Sequence, residues 1–144
     1  MIYLDSSSLL KLLWHEPESS AVIDALAEER AIVISTLAEL ETQVQLKAAH
    51  LGGEYSLAQL RRLETQLTGL RQQPPYEFRT LPGTLFQTGL RQHRNAAGTH
   101  CRTLDRLHLA AMEELQLTRL MTHDDRLAKA AKVAGFEVLS PGRN

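Results

Sequence analysis

The chain has 144 residues, 43% of them apolar and 23% charged, with 16 Lys plus Arg against 17 Asp plus Glu for a net charge of -1. That is the composition of one ordinary globular domain spanning 1–144, without the basic surplus that marks many nucleic-acid binders, although a cluster of carboxylates would hide a basic rim in such a sum. No apolar run nears the roughly 18 residues that cross a bilayer, no basic-then-apolar leader opens the chain, and the lone Cys101 has no disulfide partner, so a cytoplasmic protein is expected, with Cys101 a small core residue.

Residues 1–4 (MIYL) read as a short buried strand ended by Asp5 and three serines. Residues 8–14 are helical, Pro17 interrupts, and 19–29 (SSAVIDALAEE) resume a helix with a serine N-cap and Val22, Ile23, Leu26 and Ala27 at helical spacing. AIVI (31–34) is a second strand. From Ser35 a helix follows with Leu37, Leu40, Val44, Ala48 and Leu51 on one stripe, and it stops at Gly52-Gly53.

Residues 56–72 form another helix whose leucines, from Leu57 to Leu70, read as core or hairpin packing, and QQPP ends it. EFRTL (77–81) is a weak strand, 84–97 a helix before Gly98, and 103–115 a strong helix. TRLMT (118–122) is a strand, 125–134 a helix closed by Gly135, and FEVL (136–139) a last strand. Strands alternating with helices imply a parallel sheet covered on both faces, with ligands bound beyond the strand carboxyl ends. Asp5 and the Asp124-Asp125 doublet both fall at such ends.

A helix cap explains an Asp at a helix start, but two further acids lie inside helices. With about 100° per residue, Glu41 falls within roughly 60° of the centre of the Leu37-to-Ala48 stripe, while Glu39 points the other way. Asp105 shares an arc with Leu109 and Met112. A carboxylate on a core-facing arc is costly unless paired or bound to a cation. Taken singly, a partly buried salt bridge explains each as well. Four together, namely Asp5, Glu41, Asp105 and one of the doublet, repel one another and call for a counter-charge. Magnesium or manganese suits carboxylate oxygens, and such ions serve phosphodiester hydrolysis. Metal-dependent nuclease chemistry is therefore the physical reading.

YLDSSSLLKLLWHEPES resembles the opening of PIN-domain ribonucleases, especially VapC-type toxins of type II toxin–antitoxin pairs, which begin with a strand, an Asp, a Ser/Thr and a small polar residue. STLAELET is similar to their second motif, a helix with an inward Glu six residues after a Ser, which gives Glu41. RTLDRLHLAAM resembles the third, with Asp105 as its acid. THDDRLAKAAKVAG resembles the fourth, T-x-D-x-R-L-A, which assigns Asp124 and leaves Asp125 to the cap or first helical turn. The resemblance runs from residue 1 to about 141, with 52–98 matching only as helical filler.

It implies a three-layer α/β/α PIN-like fold with a central parallel sheet and magnesium- or manganese-dependent endoribonuclease activity. It also implies a homodimer, and inhibition by a cognate VapB-like antitoxin whose tail occupies the site. Asp5, Glu41, Asp105 and Asp124 would hold the metal, with Ser6 and Thr122 as supporting hydroxyls. Glu39 in place of Glu41 would fit a shifted alignment seen in some PIN relatives. His108, three residues after Asp105, could lie near the acid cluster, but such a histidine is more often a satisfied structural residue. Arg91, Arg94, Arg102 and Arg106 are candidates for the basic rim, although charge alone favours a solvated helix face.

Two other readings stay open. A PIN-like module could bind RNA or protein without cleaving. A receiver-like phosphoacceptor would also cluster acids at strand ends, but it wants a lysine late in the sheet, and Lys11, Lys47, Lys129 and Lys132 all fall on helical segments.

Overall fold

The computed structural model describes residues 1–96 and 100–143. Among them the chain alternates strands β1 (Ile2–Leu4), β2 (Ile32–Ser35), β3 (Tyr76–Arg79), β4 (Arg119–Met121) and β5 (Glu137–Leu139) with helices. These are α1 (Ser6–Leu13), α2 (Ser19–Ala27), α3 (Thr36–Leu51), α4 (Leu57–Gly69), α5 (Leu85–Asn95), α6 (Thr103–Glu114) and α7 (Asp125–Val133). All pairings are parallel, in the order β3-β2-β1-β4-β5, with Tyr3 beside Val33 on one side and Leu120 on the other.

Side chains alternate across the strands and so build two cores. Ile2, Leu4, Ile32, Ile34 and Met121 meet α1 to α4 on one face, and Tyr3, Val33 and Leu120 meet α5 to α7 on the other. The result is the expected three-layer α/β/α arrangement. β1 lies at its centre, so the chain leaving β1 emerges next to the ends of β2 and β4.

Caps set several boundaries. Asp5 accepts the Ser8 amide and starts α1 two residues before the apolar pattern announces it, and Ser35 caps α3 in the same way. The expected serine cap of α2 is absent: Glu18 holds that position, while the Ser19 hydroxyl is spent on the Trp14 carbonyl of the preceding loop. Gly135 closes α7 in the left-handed region at φ 88°. The expected helix of 84–97 is described to Asn95, and its end at 97 and the Gly98 break lie outside the described residues.

One stripe is on the wrong face. Leu40, Val44 and Leu51 of α3 are exposed, and α3 buries Ala38, Thr42, Leu46 and Ala49 instead. Alanines at two of these positions let α3 lie close to α1, and the larger apolar side chains face outward. In α4, Leu60, Leu63 and Leu67 enter the core as expected, whereas Leu57 is exposed.

Candidate active site

The carboxyl ends of β1 and β4, with the facing turns of α3 and α6, line one cleft of about 440 Å³ that holds Asp5, Ser6, Ser7, Glu41, Arg102, Asp105, His108 and Asp124. All four sequence-derived acids border it. Thr122 reaches it through Asp5. A comparable cleft of about 400 Å³ between α5, α6 and α7 has, among the described residues, Glu113 as its lining acid, already paired with Arg91. Cys101, expected in the core, is half-buried at that second cleft.

Asp5 is 2% exposed. Its Oδ1 accepts the Ser8 amide at 3.0 Å, its Oδ2 accepts the Thr122 hydroxyl at 2.7 Å, and the Ser7 hydroxyl lies 2.8 and 2.9 Å from the two oxygens. Ser7 and Thr122 in turn accept the amides of His123 at 2.7 Å and Asp124 at 3.1 Å. Backbone amides thus fix two hydroxyls, and the hydroxyls fix the carboxylate. Burial nevertheless pushes the Asp5 carboxyl above its ordinary range, because nearby His108, the Ser8 amide and the two hydroxyls offset only part of the desolvation.

Glu41 projects from the second turn of α3. Its Oε2 meets His108 Nε2 and, at 3.4 Å, the Ser6 hydroxyl. Glu39 is turned away to a bidentate pair with Arg71, which itself stacks over Phe78, so the alternative acid does not border the cleft.

Asp105, in the first turn of α6 and 5% exposed, accepts Arg102 Nε at 2.8 Å and Nη2 at 3.0 Å. The same Nη2 reaches Asp124 Oδ2 at 2.6 Å. Asp124 is itself the N-cap of α7, its Oδ1 accepting the amides of Arg126 at 2.8 Å and Leu127 at 3.2 Å. That corrects the cap alternative for Asp125, which lies instead in the first turn of α7, the other place expected for it. One oxygen of Asp124 caps and the other faces the site, while Asp125 is 90% exposed and pairs with Arg143. Burial would raise the Asp124 pKa, but Arg102 and the two amides outweigh it and hold the carboxyl below its usual range.

Among the described residues, no three His, Cys, Asp or Glu side chains are drawn together tightly enough to share an ion. Each acid has its own partner, and Arg102 supplies the positive charge that Asp105 and Asp124 divide. The donor set still fits a hard divalent cation. It consists of carboxylate and hydroxyl oxygens, and one of its carboxylates is buried at the cleft against the cost of its own charge. Of the four arginines suggested as a rim, only Arg102 borders this cleft, and no lysine does. Lys11 is tied to Glu16 and Glu18, which leaves the receiver-like reading without its phosphate contact.

Three contributors were hidden from the sequence in different degrees. Ser7 follows from capping geometry, since a hydroxyl two residues after a capping Asp folds back onto it. Arg102, at i-3 from Asp105, was readable as an ion pair on one helix. The contact of His108 with Glu41 joins residues 67 apart and had no local signal.

The PIN domain family model matches residues 2–133. Ribonuclease VapC46 of Mycobacterium tuberculosis is 36% identical over 97% of this chain and 97% of its own length. Among solved structures, Mycobacterium tuberculosis VapC20, titled a sarcin-ricin loop cleaving toxin, superposes with TM-score 0.70 at 14% identity, covering 94% of this chain and 96% of that one. VapBC2 from Rickettsia felis, bound to a DNA fragment from its promoter, superposes with TM-score 0.67 at 16% identity over 98% and 99%. At those identities the structures speak for the fold alone. No helix among the described residues is long and apolar enough to cross a membrane.

Proposed function

This chain belongs to the PIN domain family, and on that footing we propose that it is a VapC-type toxin, an endoribonuclease that cleaves RNA with magnesium or manganese. The observation that carries the reading is the meeting of Asp5, Glu41, Asp105 and Asp124, from four separate elements, around one cleft at the carboxyl edge of the sheet. Similarity to a ribonuclease over nearly the full length supports the same reaction.

In this reading the four carboxylates hold the cation, with Ser6 and Thr122 as supporting hydroxyls. The chemistry the ion supplies is activation of a water and stabilisation of the leaving oxygen. The protein's own part is positioning and charge. Ser7, Thr122 and the Ser8 amide hold Asp5 in one rotamer, and the α7 amides hold Asp124 in another. Arg102 balances Asp105 and Asp124, and at the cleft mouth it is the cation best placed to meet a phosphate.

The reading extends to one PIN-like domain over 1–144 working in the cytoplasm as a homodimer. Its partner is a VapB-like antitoxin whose tail fills the cleft, as the resemblance to VapC-type toxins implies. Asp5→Asn tests the core of it. The variant should lose RNA cleavage in magnesium or manganese and lose growth arrest on expression, and undiminished cleavage would sink the assignment.

A further inference from the structure

The buried polar chain behind Glu41 is built of residues beside, not among, the four acids of the site. Tyr3, fully buried on β1, places its hydroxyl 2.7 Å from Ser35 Oγ and 2.8 Å from His108 Nδ1. Ser35 Oγ accepts the Ala38 amide at 3.1 Å, and His108 Nε2 meets Glu41 Oε2. His108 is 2% exposed, with its ring edge-on to Tyr3 at 5.8 Å between centroids.

Counting protons gives this chain a direction. The Tyr3 hydroxyl has one proton to donate and lies within hydrogen-bond distance of two possible acceptors, Ser35 Oγ and His108 Nδ1. Every buried donor finds an acceptor if the Ser35 hydroxyl donates to Tyr3, the Tyr3 hydroxyl donates to His108 Nδ1, and His108 Nε2–H donates to Glu41. A ring with a proton on Nδ1, in either charge state, would turn the Tyr3 hydroxyl back onto Ser35. The Ser35 proton would then have no acceptor among the described residues, leaving a buried donor unsatisfied.

We propose that Tyr3 and Ser35 lock His108 as the Nε2–H tautomer, making it a positioning residue that holds Glu41 Oε2 and presents Oε1 to the divalent cation. The inference rests on the ribonuclease reading above. Its physical basis is general: a partner that fixes a ligand's rotamer removes the entropy that binding would otherwise cost, and loss of such a partner typically lowers metal affinity about 10- to 100-fold.

Two measurements without RNA test it. Nitrogen NMR of the imidazoles in the metal-free protein should show His108 protonated on Nε2 and bare on Nδ1, and a proton on Nδ1 overturns the proposal. Calorimetric titration with manganese alone should show His108→Leu binding about 10- to 100-fold more weakly than wild type. His108→Gln, whose amide N–H replaces Nε2–H, should recover most of that loss, and Tyr3→Phe should fall between. Wild-type affinity in a folded His108→Leu, or Gln no better than Leu, overturns the proposal. If Leu fails to fold, Gln decides together with Tyr3→Phe: near-wild-type affinity in Gln with a clear loss in Phe supports it, and any other pair overturns it. A wild type that neither binds manganese nor cleaves RNA instead marks failure of the ribonuclease reading, and the inference falls with it. A wild type that does both while the variants match it isolates the failure to His108.

Discussion

Asp5 and Asp124 each use one carboxylate for two purposes, capping a helix with Oδ1 while the other oxygen accepts a side-chain donor, the Thr122 hydroxyl for Asp5 and the Arg102 guanidinium for Asp124. Asp124→Asn keeps a capping oxygen and should lose only the pairing with Arg102 while impairing cleavage, whereas Asp124→Ala should lose about 1 kcal/mol more in thermal or urea unfolding. Asp125→Asn should leave both nearly unchanged, because its carboxylate is exposed and paired only with Arg143. The pH behaviour of the two site acids has opposite sign. Asp5 titrates higher in the folded chain than in the unfolded one, so its ionisation costs stability, a cost relieved as pH falls through the raised folded value. Asp124 titrates lower, so its contribution is present above the unfolded value and lost as pH falls through the depressed folded one. The stability of Asp5→Asn relative to wild type, in the chelator-treated protein, should therefore gain as pH rises through the raised folded value. That gain should shrink on acidification, and an unchanged gain would contradict the assignment. Glu41 and Asp105 were legible because carboxylates inside helices and beside apolar stripes are costly, Asp5 and the doublet because they end strands, and Asp124 within the doublet through the motif it resembles. Their partners were less so, because Ser6 to Glu41 and Thr122 to Asp5 are contacts between distant parts of the chain.

At the scale of elements, α3 shows how far periodicity reaches. Leu37, Leu40, Val44, Ala48 and Leu51 repeat as a helical face should, yet so do Ala38, Thr42, Leu46 and Ala49, and the second set is the buried one. Hydrophobicity favours the first set. Close approach to α1 favours the second, and only the assembled layers decide between them. Glu41 lies at the border of the two stripes, so it reached the cleft even though the stripe that pointed to it faces outward. Leu46→Ala should cost about 2–5 kcal/mol in urea unfolding. Val44→Gln should stay within about 0.5 kcal/mol, and comparable losses from both would contradict the observed facing. The strands were easier to read, because β-branched and apolar runs such as AIVI fit a sheet covered on both faces.

For the whole molecule, the strand order does the assembling. With β1 central, the segments after β1 and β4 emerge side by side, α3 leaves the neighbouring β2, and α6 crosses the opposite layer to bring Asp105 to the same edge. The alternation of elements made that parallel architecture legible, but the strand order itself depends on pairings between distant segments. A cation held only by the folded chain must stabilise it. Manganese at 100 times its dissociation constant should add about 2.7 kcal/mol, and a chelator should reverse it. The most direct test of the four-acid site is RNA cleavage by wild type with and without a divalent ion, beside Asp5→Asn, Glu41→Gln, Asp105→Asn and Asp124→Asn. Cleavage should require manganese or magnesium and fall roughly a thousandfold in each variant; cleavage that survives chelation, or persists undiminished in all four variants, would contradict a metal-dependent ribonuclease built on these carboxylates.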